Sequence, residues 1–86
     1  MTMTQEKLSS DKYFSSSDLA LVTAISLHFP IDAIDRRNPY KAYFLFKRDE
    51  DLDRLINSYY RGERQEDPIK YFQQLKIIKA RLYETR

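Results

Sequence analysis

The sequence contains no cysteine, no tryptophan, one glycine, one histidine and three prolines. Without cysteine it offers no disulfide, no thiolate nucleophile and no sulfur ligand for a metal, and nothing in it favours an oxidising compartment. With a single glycine, neither a phosphate-cradling Walker loop nor a dinucleotide fingerprint can be written. Charge of one sign is also lacking. Fifteen Lys and Arg against thirteen Asp and Glu leave a formal net charge of +2, far from the dense positive field of a protein that wraps nucleic acid. No stretch approaches the ~20 consecutive apolar residues of a membrane-spanning helix, and Met1 to Lys7 lack the apolar core of a signal peptide. A cytoplasmic protein with no membrane partner is the expectation.

What is present is material for one small core. At 86 residues a second domain is excluded, and a chain of this size buries only about 60–65% of its unfolded surface, so self-association is an open route to further stability. Residues 1–12 are polar apart from Met1, Met3 and Leu8 and read as a flexible tail, with a single α+β domain over residues 13–86. Ser15 and Asp18 have capping-box spacing, and Phe14 and Leu19 are placed to form a hydrophobic staple, so a first helix begins here. Its apolar residues from Leu19 to Phe29 spread nearly all round the axis, leaving a narrow polar strip at Thr23 and Ser26; such a helix is either central or binds something. Pro30 ends it.

Residues 31–36 and 41–47, separated by Asn38-Pro39, read as an antiparallel β-hairpin, the second strand being apolar on both faces. Asp49 caps a second helix whose Leu52, Leu55, Ile56, Tyr59 and Tyr60 form one stripe, and Gly62 closes it. Asp67 and Pro68 start a third, with Tyr71, Phe72, Leu75, Ile78 and Leu82 inward. The fold class is α+β, an α-β-β-α-α domain of three helices packed with a two-stranded hairpin. Helix one and the strand over residues 41–47 form its centre.

Chemistry is scarce. His28 lies at the end of an apolar helix, where an imidazolium suits the helix dipole, and reads as structural. Ser15, Ser16 and Ser17 have no neighbouring base and read as capping residues. Asp49, Asp51 and Asp53 imitate the start of a calcium loop, yet Arg54 stands where glycine is required and Tyr60 where glutamate is required. No catalytic residue, cofactor, metal or small-molecule substrate is expected. The one suggestive constellation is Arg36, Arg37, Tyr40 and Lys41 at the hairpin tip, a set suited to phosphate contact and base stacking. Asp32 and Asp35 on the facing strand are placed to neutralise it. On the third helix Lys70 and Arg81 lie to one side of the core stripe and Lys76 and Lys79 to the other, a dispersed charge.

Taken together, Phe14 to Leu19, Phe44-Leu45-Phe46, the segment Leu55 to Gly62, and Leu75-Lys76 with Leu82-Tyr83 resemble a family of short bacterial and phage-associated domains of unknown function. The shared pattern is an F-x-[ST]-x-D-L helix start, an F-x-F strand, a helix ending in aromatic-x-G and a closing L-K…L-Y helix. The resemblance implies a freestanding one-domain protein and carries over no catalytic or binding residue. Two functions remain open. The first is a non-enzymatic interaction module, using Leu21 and Ile25 of helix one, or Tyr43, Leu45 and the free edge of residues 42–46, for a protein partner or a second copy. The alternative is a nucleic-acid-binding or regulatory protein that uses the basic hairpin tip.

Overall fold

The computed structural model describes residues 12–84. The elements run β1 (Tyr13–Ser16), α1 (Leu19–Ser26), β2 (Ala33–Asp35), β3 (Tyr43–Lys47), α2 (Glu50–Tyr60) and α3 (Pro68–Glu84). The α+β class, the three helices and the antiparallel pairing of β2 with β3 agree with the sequence reading. The hairpin, however, is part of a three-stranded sheet of order β1-β3-β2. β1 lies antiparallel to β3, with Tyr13 opposite Lys47 and Ser16 opposite Phe44. An isolated two-stranded ribbon is marginal in water, and β1 supplies the third strand from within the chain. One expectation is corrected by it. The edge of residues 42–46 is not free, because β3 is the central strand with a neighbour on each side. Lys12, the last residue of the expected tail, accepts a hydrogen bond on its carbonyl from the Arg48 amide at 2.9 Å; residues 1–11 lie outside the described residues.

α1 starts at Asp18 and not at Ser15. The Asp18 carboxylate accepts hydrogen bonds from the amides of Ala20 and Leu21, two of the donors that a helix start leaves orphaned. Ser16 Oγ in turn accepts from the Asp18 amide at 3.0 Å, which ties strand end to helix cap. The helix stops at Ser26, short of Phe29. The amides of His28 and Phe29 both turn back to the Ile25 carbonyl, and Pro30 disfavours helical backbone at the residue before it.

The core gathers Leu21, Val22 and Ile25 of α1, Phe44 and Phe46 of β3, Leu52, Leu55 and Ile56 of α2, and Ile78 of α3. α1 is therefore central. Thr23, assigned above to a polar strip, is fully buried, and its hydroxyl donates to the Leu19 carbonyl at 2.7 Å, which removes the cost of burying it. Ser26 faces α3 and accepts from Gln74 Nε2 at 3.0 Å. Tyr71 Oη donates to the Ala20 carbonyl at 3.2 Å. Two hydrogen bonds thus hold α3 on α1. α2 ends as its one glycine requires: Gly62 has φ 73, its amide reaches the Tyr59 carbonyl, and the Glu63 amide reaches that of Ser58, the paired bonds of a Schellman motif.

Candidate functional site

The hairpin tip was the sequence's strongest signal, and the structure gives its charges internal partners. The loop over 36–42 runs beside the last turn of α3, and the Arg36 guanidinium donates to the carbonyls of Leu82 at 2.8 Å and Arg81 at 2.6 Å. Those carbonyls lack partners inside the helix, and a cation there is favoured by the helix dipole. Arg36 is therefore a cap for α3 supplied from far away in sequence. Arg37 folds back on Asp35, Nη2 to Oδ2 at 2.6 Å and Nε to Oδ1 at 2.9 Å. Hydrogen bonding from Arg37 holds the Asp35 carboxyl down at about 2 and pushes the Arg37 guanidinium up. Tyr40 projects at 91% exposure, and Lys41 is exposed. The tip brings all four candidates together, and two of the three cations are already satisfied.

The proposed interface residues fare differently from one another. Leu21 and Ile25 are 0% exposed, so they belong to the core and present no surface to a partner; they are buried because β3, α2 and α3 close round α1. Tyr43 and Leu45 are half-buried on the sheet face opposite the core.

His28 meets the link between α2 and α3. Its Nε2 lies 3.1 and 3.2 Å from the two oxygens of Glu66 and 3.1 Å from Arg64 Nη2, which itself donates to Glu66 at 3.0 Å. Burial alone would raise the Glu66 carboxyl, but the bonds from Arg64 and His28 outweigh it and the net shift is downward. This is one carboxylate, one cation and one imidazole tying a link to a helix end. Among the described residues no three His, Cys, Asp or Glu side chains converge to hold a metal ion, and no helix is long and apolar enough to cross a membrane.

What the sequence reading missed lies on α3. Phe72, expected inward, is 60% exposed, and Ile69, Ile77 and Tyr83 are exposed at 69%, 52% and 62%. At roughly 100° per residue, Ile69, Phe72, Lys76, Ala80 and Tyr83 fall on one stripe, about 130° round the axis from the inward stripe of Leu75 and Ile78. α3 is thus apolar on two faces, only one of which the domain covers. The signal was legible as the 3-4-4-3 spacing of this second stripe, but the inward stripe of Tyr71, Leu75, Ile78 and Leu82 had absorbed Phe72. Beside it, Tyr59, Tyr71 and Phe72, with Ala24 and Pro68 and with Arg64 and Glu66 at the rim, line a groove of ≈ 400 Å³. Tyr71 and Phe72 meet edge to face, centroids 6.0 Å apart. Burial raises the Tyr59 and Tyr71 phenols, with the Asp18 charge adding to the effect, so both stay protonated hydrogen-bond donors at neutral pH. Tyr60, expected in the core, is 68% exposed; at roughly 100° per residue it lies at the edge of the α2 stripe of Leu52, Leu55, Ile56 and Tyr59.

Fold and surface together define a small α+β domain with a three-stranded sheet, three helices and one uncovered apolar helix face. The chain belongs to the family described as Domain of unknown function (DUF5659), whose model matches residues 11–84. No curated protein and no solved structure matches it.

Proposed function

We propose that this domain is a non-enzymatic protein-interaction module that docks its partner on the outer face of α3 and the aromatic groove beside it. The observation that carries the reading is Ile69, Phe72 and Tyr83 on one stripe of α3, each more than half exposed. Single exposed apolar residues are ordinary, but large ones recurring along one helix, over about 21 Å from Ile69 to Tyr83 at 1.5 Å per residue, mark a surface that is covered in use. The groove of Tyr59, Tyr71 and Phe72 extends the same face with rings, which contribute strongly to binding. The nucleic-acid reading loses support at the tip, where Arg36 and Arg37 are held by α3 and by Asp35.

A photo-crosslinking residue at Gln73, exposed on the outer face, tests the proposal in the source cells, with the same residue at Lys47 of β3 as control. Nuclease-resistant protein adducts at position 73 that are absent at position 47 are expected. Equal labelling at both positions, or adducts that vanish on nuclease treatment, would refute it.

A further inference from the structure

With Arg36 bonded to α3 and Arg37 to Asp35, Tyr40 and Lys41 are what the loop over 36–42 has left to offer a ligand. They line a cleft of ≈ 410 Å³ between that loop and the last turn of α3, together with Arg36, Asn38, Leu82 and Tyr83. We propose that this cleft binds a nucleoside phosphate, with its base on Tyr40 and Tyr83 and its phosphate on Lys41. The inference goes beyond the docking reading, because Tyr40 and Lys41 belong to the loop and not to the outer face of α3.

Charge selects an anion. No carboxylate lines the cleft. Lys41 is exposed and has no ion-pair partner among the described residues. Asn38 accepts from the Tyr40 amide on Oδ1 at 2.8 Å, and its NH2 group remains to donate. The carbonyl end of α3 opposes an anion, but the Arg36 guanidinium lies on the carbonyls of Arg81 and Leu82. Its full charge outweighs the roughly half an elementary charge of a helix end. The nearest carboxylates in sequence are turned elsewhere. Asp35 is held by Arg37 and lines a different cleft, with Tyr43. At roughly 100° per residue, Glu84 lies about 150° round α3 from the direction midway between Leu82 and Tyr83, whereas Lys79, about one turn earlier, lies within about 10° of it.

Shape selects a flat ring. The volume falls in the range of about 300–1,000 Å³ typical of small-ligand sites. Tyr40 from the loop and Tyr83 from the helix offer two phenol rings, on which any base can stack, and Leu82 adds apolar surface between them and the core. An inorganic anion would use the cations and leave the rings bare. A duplex keeps its bases stacked inside, out of reach of the cleft. A nucleotide, free or at the end of a single strand, brings the ring and the anion together.

The test is a backbone-amide NMR titration of the full chain with ATP, adenosine, tripolyphosphate, a short single-stranded DNA and the same DNA as a duplex. Circular dichroism confirms that each variant is folded. ATP should shift the amides of 36–42 and of the last turn of α3, and should bind about tenfold or more tighter than adenosine or tripolyphosphate. Tyr40→Ala, at a side chain 91% exposed, and Lys41→Glu should each weaken ATP about tenfold. Tyr40→Phe should keep it, while Arg37→Ala and Phe72→Ser change nothing. Tripolyphosphate binding as tightly as ATP, insensitivity to both Tyr40→Ala and Lys41→Glu, or no amide shift up to about 5 mM ATP would overturn the inference. So would a duplex that binds tighter than the single strand. A single strand that binds tighter than ATP and is lost with Tyr40→Ala would support the site and make its ligand a strand end. The crosslinks at position 73 do not depend on Tyr40 or Lys41, so this site and the docking face fail separately.

Discussion

Replacing Arg36 by alanine separates a structural cation from a ligand-binding one. The guanidinium makes two charge-assisted hydrogen bonds, 2.6 and 2.8 Å, to the carbonyls of Arg81 and Leu82. Bonds to a charged group contribute about 1.5–3 kcal/mol when sheltered, and the dipole interaction at a helix end about 0.3–1 kcal/mol. These bonds lie at the surface, where water competes for the same carbonyls, so the sum is discounted to about 1–2 kcal/mol. For a domain of this size, about 4–8 °C of melting temperature accompanies each kcal/mol, and Arg36→Ala should melt roughly 5–15 °C below the parent in a circular-dichroism scan at 222 nm. Arg36→Glu should be worse, since it sets a carboxylate against two carbonyl oxygens. Arg37→Ala should barely move the midpoint, because its partner Asp35 is a solvent-facing neighbour two residues away. Hydrogen exchange should localise the Arg36 effect to the last turn of α3. If Arg36→Ala and Arg37→Ala melt together with the parent, Arg36 does not cap α3, and its charge is again available for a phosphate.

Asp18→Ala removes the acceptor for two amides at the start of α1 and should cost about 1 kcal/mol in urea unfolding, with an unchanged m-value. Phe44→Ala, at a fully buried site in the central strand, should cost about 3–5 kcal/mol, a large part of the about 4–13 kcal/mol total for a chain of this length, and should leave a partly unfolded population by near-ultraviolet circular dichroism. Gly62→Ala meets nothing within 4 Å of the new methyl group, so its cost is the left-handed backbone alone, about 1 kcal/mol by thermal melting. Glu66 is held below its usual value, so its stabilisation is complete above the unfolded carboxyl range and is lost as pH falls through the lower folded value. Glu66→Gln should therefore melt below the parent at neutral pH, and the two curves should converge in acid.

The helices were legible because each carries its own start and stop: Asp49 and Gly62 bracket α2, and Asp67 with Pro68 opens α3. Asp67 Oδ1 accepts from the Ile69 amide at 2.9 Å, as the pattern implies. β1 was not legible because Phe14, Ser15 and Ser16 satisfy a helix-start pattern equally well, and only pairing with Phe46, Leu45 and Phe44 resolves the ambiguity. Those partners are remote in sequence. The same limit applies to Arg36, whose composition signature is that of a phosphate ligand and whose partners are backbone carbonyls that no sequence pattern announces. Phe72 shows a third limit. On a helix with two apolar stripes, periodicity says that both exist but not which one the domain covers, and that is decided by how α3 lies on α1 through Gln74–Ser26 and Tyr71–Ala20.

The placement of β3 between two strands that both precede it has a consequence for the growing polypeptide. Among the described residues β1 leaves the ribosome first, yet the one strand it pairs with there follows a helix and another strand. Tyr13 to Ser16 must wait, unpaired, until β3 has emerged, and a stalled or truncated translation product ending before Tyr43 would have two orphan edges and no middle to join them.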